Sequence, residues 1–317
     1  RSRRVAADRI AHGAVVVSTV DGVAAITLTA GATRFTVMPE IGLLGAALVH
    51  HDRAYLDLHG GPDAARRGHT TGFPLLAPWA NRLSSSTYRV GSHAVDLTDL
   101  PIHRDGNGLP IHGVMVGRPG WELVSVKSQP GSASLTARFD AGADEEVMAA
   151  FPFPHELLVG FTVTPGRLTT ATTLVATGRR SVPVSFGWHP YFRLPDTERS
   201  RIRLGMPARH RILLDDRGIP TGEEVPEPAS IRRLGDSSFD DAYRLGRDRQ
   251  LLLASGRRRL SVVFDGKYPF AQVYAPADSD FVALEPMTAP TDALRSGTTP
   301  MVEPGERFTA RFAVSLT

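Results

Sequence analysis

Apolar and polar residues alternate with a period of two along most of this chain. At residues 307–317, RFTARFAVSLT, alternate apolar positions fall on one face: Phe308, Ala310, Phe312, Val314 and Leu316. The same pattern appears at residues 155–165, HELLVGFTVTP, in Leu157, Val159, Phe161 and Val163. Because successive side chains of a strand point to opposite faces, both segments are predicted to be half-buried β-strands.

Further strand patterns occur at residues 23–30, 34–40, 121–128, 132–140, 259–265 and 270–276. Clusters of Gly, Pro, Asp and Ser separate them, and the 30 glycines and 24 prolines leave little room for long helices. We therefore predict an all-β protein, a large antiparallel sandwich rather than a doubly wound α/β fold. No repeat, linker or shift in composition divides the chain, so a single domain over residues 1–317 is expected, with about the first ten residues as a flexible arm.

Composition narrows the class of protein further. The chain has no cysteine, which excludes disulfides, thiolate zinc sites and cysteine nucleophiles. No apolar stretch approaches the roughly 20 residues of a membrane span, and no signal peptide is evident, so we expect a cytoplasmic protein without a membrane partner. The net charge of +3 is dispersed, and the short arginine clusters lack interleaved aromatic residues, which argues against a nucleic-acid partner.

Two loops combine polar side chains with features of a ligand site. In TTGFPLLAPWANRLSSSTY, residues 70–88, Asn81 and Arg82 follow Trp79. A guanidinium donates in a fixed fork and an indole packs against C–H faces, so these residues suit a sugar, although for Arg82 alone a turn cap is the favoured interpretation. In LPIHGVMVGRPGW, residues 109–121, Gly113 follows His112 and permits a close backbone approach; a turn histidine is the simpler alternative.

Two other segments place a titratable group in apolar surroundings. His189 lies in SFGWHPYFRL, residues 185–194, next to aromatic residues that include Tyr191. It is either a core histidine or a pocket residue. Glu285 ends the apolar run that begins FVALEP, where a carboxylate is costly unless it is paired or used. The segment FDDAY adds Asp240 and Asp241, of which at least one is expected to be solvated.

The chain contains no dinucleotide, P-loop or H-E-x-x-H motif. We therefore expect proton-transfer chemistry that uses neither a metal nor a cofactor. Aromatic faces together with carboxylates and an arginine suggest a carbohydrate substrate.

The segments NRL, IHG, HPYF, FDDAY and LEPMT, in this order from about residue 35 to the C-terminus, resemble the motifs of the aldose 1-epimerase (galactose mutarotase) family. The resemblance implies a single large domain, an antiparallel β-supersandwich with a sugar cleft. It implies that Glu285 is the general base on the anomeric hydroxyl and His189 the general acid at the ring oxygen. His112, Arg82 and Asp240 would bind substrate oxygens, and Asn81, Trp79 and Tyr191 are further candidate substrate-binding residues. The implied partner is a small sugar, a hexose, with the protein a monomer or homodimer.

The sequence departs from the family pattern in one segment and leaves three alternatives open. Ala176 and Thr177 stand where the family usually has an asparagine. A hexose-6-phosphate 1-epimerase would need basic groups at one end of the cleft, for which Arg118, Arg179 and Arg180 are available. A sugar-binding protein without turnover is a second alternative. A glycoside hydrolase with Glu285 and Asp240 as its carboxylate pair is a third.

Overall fold

The alternating segments form antiparallel strands in the computed structural model, which describes residues 14–317. Residues 23–30 and 132–140 each form one strand with the predicted bounds. The other predicted segments form strands whose ends differ by a residue or two. The prediction of an all-β antiparallel fold is therefore confirmed. The predicted arm over the first ten residues lies outside the described residues.

The strands are short and numerous, and the helices are short and few. The first thirteen strands are β1 (Ala14–Val20), β2 (Val23–Ala30), β3 (Thr33–Met38), β4 (Leu44–His50), β5 (Arg53–Ala54), β6 (Leu75–Leu76), β7 (Thr87–Val90), β8 (His93–Asp96), β9 (Glu122–Gln129), β10 (Ser132–Asp140), β11 (His155–Thr164), β12 (Arg167–Ala176) and β13 (Val182–Pro183). The others are β14 (Gly187–Trp188), β15 (Tyr191–Phe192), β16 (Arg203–Met206), β17 (Arg209–Leu214), β18 (Pro220–Glu227), β19 (Ser230–Arg233), β20 (Phe239–Leu245), β21 (Gln250–Ser255), β22 (Arg258–Phe264), β23 (Phe270–Ala275), β24 (Val282–Met287), β25 (Met301–Val302) and β26 (Arg307–Leu316). The helices are α1 (Gly61–Arg66), α2 (Glu145–Ala150) and α3 (Ala293–Ser296), with 3₁₀ turns at Ala141–Ala143 and Arg199–Arg201.

Three sheets form the main body of the described chain. Strands β1 to β5 form a five-stranded sheet in sequence order. A nine-stranded sheet has the order β19-β16-β21-β22-β26-β12-β11-β10-β9. An eight-stranded sheet runs β18-β17-β20-β23-β24-β14-β6, and β15 also pairs with β24. Strand β13 pairs with β25, and β7 with β8, as separate two-stranded ribbons.

The core lies on the inner faces of these sheets. Along β10, β11 and β12 every second residue is buried, as the period of two predicts. Trp188 links the layers, because its ring lies 5.3 Å from Phe73, 5.7 Å from Phe161 and 6.2 Å from Phe312. Its indole N–H donates to the Thr172 hydroxyl at 3.0 Å. One hydrophobic cluster extends from Ile26 in β2 to residues of β26, which supports the proposal of a single domain. Of the helices in the described part of the chain, none combines the length and apolar character needed to cross a bilayer.

His155, at the start of β11, is a buried histidine that sequence analysis did not single out. Its Nδ1 lies 2.7 Å from the Phe153 carbonyl oxygen, and only 1% of the residue is exposed. Burial lowers the pKa of His155 to about 4, although the hydrogen bond to Phe153 opposes the shift. The folded protein therefore resists protonation at this ring, while the unfolded chain accepts a proton near pH 6.5.

We expect His155 to make the fold acid-labile. The pKa of His155 is lower in the folded state than in the unfolded chain. The contribution of the neutral His155 ring to stability is therefore complete above the unfolded pKa and is lost as the pH falls toward the folded pKa. The loss amounts to about 3 kcal/mol. His155→Asn, whose amide can donate to the same carbonyl, should flatten the fall in unfolding free energy between about pH 7 and pH 4, measured by urea denaturation. The exposed His51→Asn is the matched control, and an unchanged pH slope in His155→Asn would contradict this account.

Candidate active site

Glu285 and His189 face each other across paired strands of the eight-stranded sheet. Gly187 pairs with Met287 and Tyr191 with Ala283, so the same register places His189 opposite Glu285. Pro190 has no backbone N–H, which accounts for the break between β14 and β15 at this point. The His189 Nε2 lies 3.3 Å from the Glu285 Oε1, and the two residues are 4% and 1% exposed.

Burial governs the protonation of this pair. It raises the pKa of Glu285 well above its ordinary value; the Asp240 charge adds to the rise and Arg82 opposes it. Burial also lowers the pKa of His189 to about 3. Although a carboxylate 3.3 Å from an imidazole favours the ionised pair, desolvation is the larger effect in each group. Both shifts disfavour the charged forms, so burial favours the neutral pair, with the shared proton on Glu285, over the ion pair.

Several polar atoms of the site lack protein partners. The Glu285 Oε2, the His189 Nδ1 and the Nδ1 of His112 are buried, and none of them has a hydrogen-bond partner in the described chain. An unpaired buried polar atom costs about 1–3 kcal/mol, so such atoms seldom gather in a purely structural core. Their grouping around the Glu285–His189 pair is characteristic of a site that binds polar ligand atoms.

The candidate site extends along the eight-stranded sheet to Gln272 and Asp240. Gln272 on β23 lies opposite Glu285 in the register and is 1% exposed. Its Nε2 donates to the Asp240 Oδ1 at 2.6 Å. Asp240 on β20 is half-exposed, with 50% of its side chain accessible, so it can also accept from a ligand. Asp241 points elsewhere, into a small cavity of about 230 Å³ that Arg209 and Arg211 also line.

Arg82 is held on the loop after Trp79. Its Nε donates to the Asp105 Oδ2 at 2.7 Å and its Nη1 to the Asn81 Oδ1 at 3.2 Å. Its Nη2 lies 3.8 Å from the Asp240 Oδ2. Asn81 has a φ of 57°, in the left-handed region that asparagine tolerates better than most residues. Arg82 is thus fixed by Asp105 on one side and points toward Asp240 on the other.

His112 joins the site through the neighbouring loop. Its backbone N–H donates to the Asn81 carbonyl at 2.9 Å, and its ring meets His189 edge-on at 5.3 Å. Burial lowers the pKa of His112 well below its ordinary value, and His189, His103 and Arg82 act in the same direction. A Cβ on Gly113 would lie 2.0 Å from the Ala77 carbonyl oxygen, so only glycine lets this loop approach so closely.

Aromatic rings enclose the other side of His189. Tyr191 stacks on it at 4.5 Å, and Tyr274 lies edge-on at 5.9 Å. The Tyr191 hydroxyl hydrogen-bonds to the Thr70 hydroxyl at 2.6 Å. His59 and Phe281 pack against Tyr191 at 4.5 Å and 4.8 Å. Of the aromatic residues next to His189 in the sequence, Tyr191 contacts its ring, whereas Trp188 and Phe192 pack against Phe73 in the core.

The structure brings together seven of the eight predicted site residues through direct contacts or shared neighbours: Glu285, His189, Arg82, His112, Asp240, Asn81 and Tyr191. Trp79 is different. It is 1% exposed within the main core, and among residues 14–317 no hydrogen bond, ion pair or ring contact joins it to His189 or Glu285. A substrate contact for Trp79 stays a prediction.

Three residues of this arrangement were not predicted from the sequence: Gln272, Asp105 and His59. Gln272 carried a signal, because it is a polar residue within the strand pattern FAQVYAP. Asp105 and His59 carried none, since only the fold brings their loops to Arg82 and Tyr191. Among residues 14–317 no group of three His, Asp or Glu side chains is arranged to hold a metal ion.

The structure locates Ala176, where the sequence departs from the family pattern, and Arg118, which a hexose-6-phosphate 1-epimerase could use. Ala176 ends β12 opposite His155, away from the Glu285 strand pairs. Arg118 lines a groove of about 680 Å³ that reaches His112. However, its guanidinium lies 3.1 Å from Asp144 and 2.6 Å from Glu146. Two carboxylates thus already offset the charge of Arg118, while Arg66, Arg67 and Arg104 also line this groove.

Comparison with known proteins identifies relatives of this architecture. The sequence matches the family model described as Aldose 1-epimerase over residues 25–315. A galactose mutarotase-like protein from Clostridium acetobutylicum has a similar structure, with a TM-score of 0.87 at 17% identity over 96% of this chain and 99% of that one. Galactose 1-epimerase from Lactobacillus acidophilus NCFM gives 0.75 at 16% identity, over 96% and 98% of the two chains. An aldose epimerase homologue from C. elegans gives 0.74 at 16% identity, over 96% and 99%. These structural matches establish the fold, and a comparison with curated proteins gives no significant match.

Proposed function

Since this chain belongs to the aldose 1-epimerase family, we propose that it interconverts the α and β anomers of a hexose by acid–base ring opening and closure. The observation that carries the proposal is the Glu285–His189 pair, buried together with 3.3 Å between Oε1 and Nε2. A carboxyl and an imidazole that share one proton provide both an acceptor and a donor, which ring opening requires.

The reaction needs two simultaneous proton transfers. Glu285 accepts the proton of the anomeric hydroxyl, and the His189 imidazolium donates a proton to the ring oxygen. The bond between C1 and the ring oxygen breaks, and the anomeric oxygen becomes the aldehyde oxygen. Rotation about the C1–C2 bond presents the other face of the aldehyde, and the reverse transfers close the ring as the other anomer. Both residues end as they began, so no net proton is consumed.

The proton must move from Glu285 to His189 for this sequence to start. The neutral pair and the ion pair contain the same number of protons, so their exchange does not depend on pH. Substrate hydroxyls that donate to the unpartnered Glu285 Oε2 would favour the carboxylate and thereby the imidazolium. Arg82 already acts on Glu285 in that direction. We therefore infer that sugar binding itself shifts the pair to a carboxylate on Glu285 and an imidazolium on His189, the form in which the reaction starts.

The remaining polar groups suit recognition of sugar hydroxyls. Asp240 accepts, Arg82 and His112 donate, and Gln272 keeps Asp240 oriented through its 2.6 Å hydrogen bond. Tyr191 provides an apolar face and a hydroxyl. We assign these residues to binding rather than to proton transfer. A cytoplasmic location and a monomeric or homodimeric state stay predictions.

The test is a comparison of substrates by polarimetry. Freshly dissolved α-D-galactose and α-D-glucose should reach their equilibrium rotation faster with the protein than without it. The same assay with α-D-glucose 6-phosphate separates the hexose-6-phosphate alternative, for which the phosphorylated sugar would be strongly preferred. Binding of galactose in calorimetry without acceleration would instead support the non-catalytic alternative. Release of the aryl group from an aryl glycoside would point to the hydrolase.

A further inference from the structure

A second groove, of about 530 Å³, lies on the solvent face of the nine-stranded sheet near its β19 edge. Glu285, Gln272 and Asp240 belong to the eight-stranded sheet, so this groove is separate from the candidate active site. It has basic walls and an apolar floor, and its principal lining residues are Arg201, Arg203, Arg233, Arg259, Ile231, Leu252 and Ala254. We call it the arginine groove.

The strand register sets three of these arginines in one row. Arg233 on β19 pairs with Arg203 on β16, and Arg203 pairs with Ala254 on β21. Ala254 in turn pairs with Arg259 on β22. Residues opposite each other in antiparallel strands share a face, so all three guanidinium groups project on the same side. Like charges directly opposite each other destabilise a sheet, which makes the Arg203–Arg233 pair unfavourable for folding.

The described part of the chain does not neutralise these charges. Among residues 14–317, no carboxylate lies within 4.0 Å of the guanidinium nitrogens of Arg201, Arg203, Arg233 or Arg259. Within the same range, no acidic residue lines the groove. Adjacent arginines differ: Arg53 and Arg258 both approach Asp196, at 3.5 Å and 3.2 Å. The arginine groove therefore gathers positive charges that have no ion-pair partner among residues 14–317, with two of them directly opposite each other.

The floor of the groove depends on a glycine. Gly205 pairs with Ile231 on one side and Leu252 on the other, in the row next to the arginines. A Cβ at Gly205 would lie 3.1 Å from the Leu252 Cβ and 3.6 Å from the Ile231 Cγ1. The side chains of Leu252 and Ile231 therefore approach each other over the buried Gly205 and form the apolar floor. Ile231 is 66% exposed there, although an isolated surface isoleucine is more often covered.

We propose that the arginine groove binds a soluble organic anion that carries two phosphate-class groups joined by an apolar segment. Arg203 and Arg259 lie two strands apart, which corresponds to about 10 Å. One anionic group would contact Arg203 and Arg233, the other Arg259, with the apolar segment over Ala254. Guanidinium forks match phosphate oxygens, and the volume of the groove lies within the range of about 300–1,000 Å³ usual for small-ligand sites.

The experiment titrates the whole protein with hexane-1,6-diyl bisphosphate by isothermal calorimetry, beside hexyl monophosphate and inorganic phosphate. The bisphosphate should bind about tenfold or more tightly than either, because it engages both ends of the row. Arg203→Ala and Arg259→Ala should each weaken it by about tenfold, since each removes charged hydrogen bonds. Arg307→Ala removes an exposed arginine of the same sheet outside the groove and should change the affinity by less than about twofold.

Saturation of the sugar site with galactose should leave bisphosphate affinity unchanged, since the two sites lie on different sheets. Equal affinity for the bisphosphate and the monophosphate would overturn the proposal, as would equal losses in Arg203→Ala and Arg307→Ala. A membrane headgroup is the other source of such phosphates. Binding to vesicles of phosphatidylserine and phosphatidylcholine without binding to the soluble bisphosphate would also overturn it. Thermal melting of each variant shows whether a lost affinity reflects a lost fold.

Discussion

Glu285→Gln is expected to lower kcat for anomer interconversion by about 10²–10⁴-fold, the usual contribution of a positioned acid–base group. The amide keeps the shape of the carboxyl group and can still hydrogen-bond to the sugar, but it cannot accept the anomeric proton. KM should therefore change much less than kcat. Initial polarimetric rates over a range of galactose concentrations give both constants.

The same variant should be at least as stable as the wild type. Burial raises the pKa of Glu285 in the folded state. The contribution of its protonated carboxyl group to stability is therefore complete below the unfolded pKa and is lost as the pH rises through the folded pKa. A glutamine side chain does not titrate, so its contribution to stability does not depend on pH. The unfolding free energy of Glu285→Gln relative to wild type should thus rise between about pH 5 and pH 8 in urea denaturation.

Glu306→Gln, at an exposed turn before β26, is the matched control and should leave rate and stability unchanged. Loss of activity in Glu285→Gln together with a lower stability at high pH would show that the carboxylate mainly supports the fold. Full activity in a folded Glu285→Gln would exclude Glu285 as the base.

His189→Asn is expected to reduce kcat by a similar factor of about 10²–10⁴, because the amide cannot donate a proton to the ring oxygen and take it back. The pH profile of the wild type is the more specific result. The Glu285–His189 pair must hold one proton, and the pKa of His189 is lowered to about 3. The wild-type rate should therefore show no loss near pH 6.5, where an ordinary histidine titrates.

This profile is measured as kcat from about pH 5 to pH 8, on both sides of the pKa of an ordinary histidine. The upper limit of the plateau reports the loss of the pair's single proton in the substrate complex. His51→Asn, an exposed histidine, controls for the loss of a ring. A wild-type rate that halves near pH 6.5 would contradict the shared-proton account, even if His189→Asn is inactive.

The strands of this fold could be predicted because their period of two follows directly from burial on one face. Residues 132–140 illustrate this, since a buried residue stands at every second position. Glu285 was recognisable for a related reason: a carboxylate in an apolar strand has no stable environment unless another group uses it. The family motifs then indicated which histidine stands with it.

Strand register could not be predicted, and register decides most of the site. Gln272 lies opposite Glu285 only because β23 pairs with β24 in that alignment. The distance from Asp105 to Arg82 depends in the same way on two loops that the folded chain brings together. The depth at which individual side chains are buried could also not be predicted from the sequence. Trp79 proved to be a core residue, and desolvation rather than pairing sets the pKa of His189.

The measurement that most directly tests the central claim is the polarimetric approach of freshly dissolved α-D-galactose to its equilibrium rotation, with wild type, Glu285→Gln and Glu306→Gln at equal concentration. We predict that wild type and Glu306→Gln accelerate the approach equally, while folded Glu285→Gln gives little more than the uncatalysed rate. Equal acceleration by all three proteins, or by none, would contradict the proposal that the Glu285–His189 pair interconverts the anomers of this hexose.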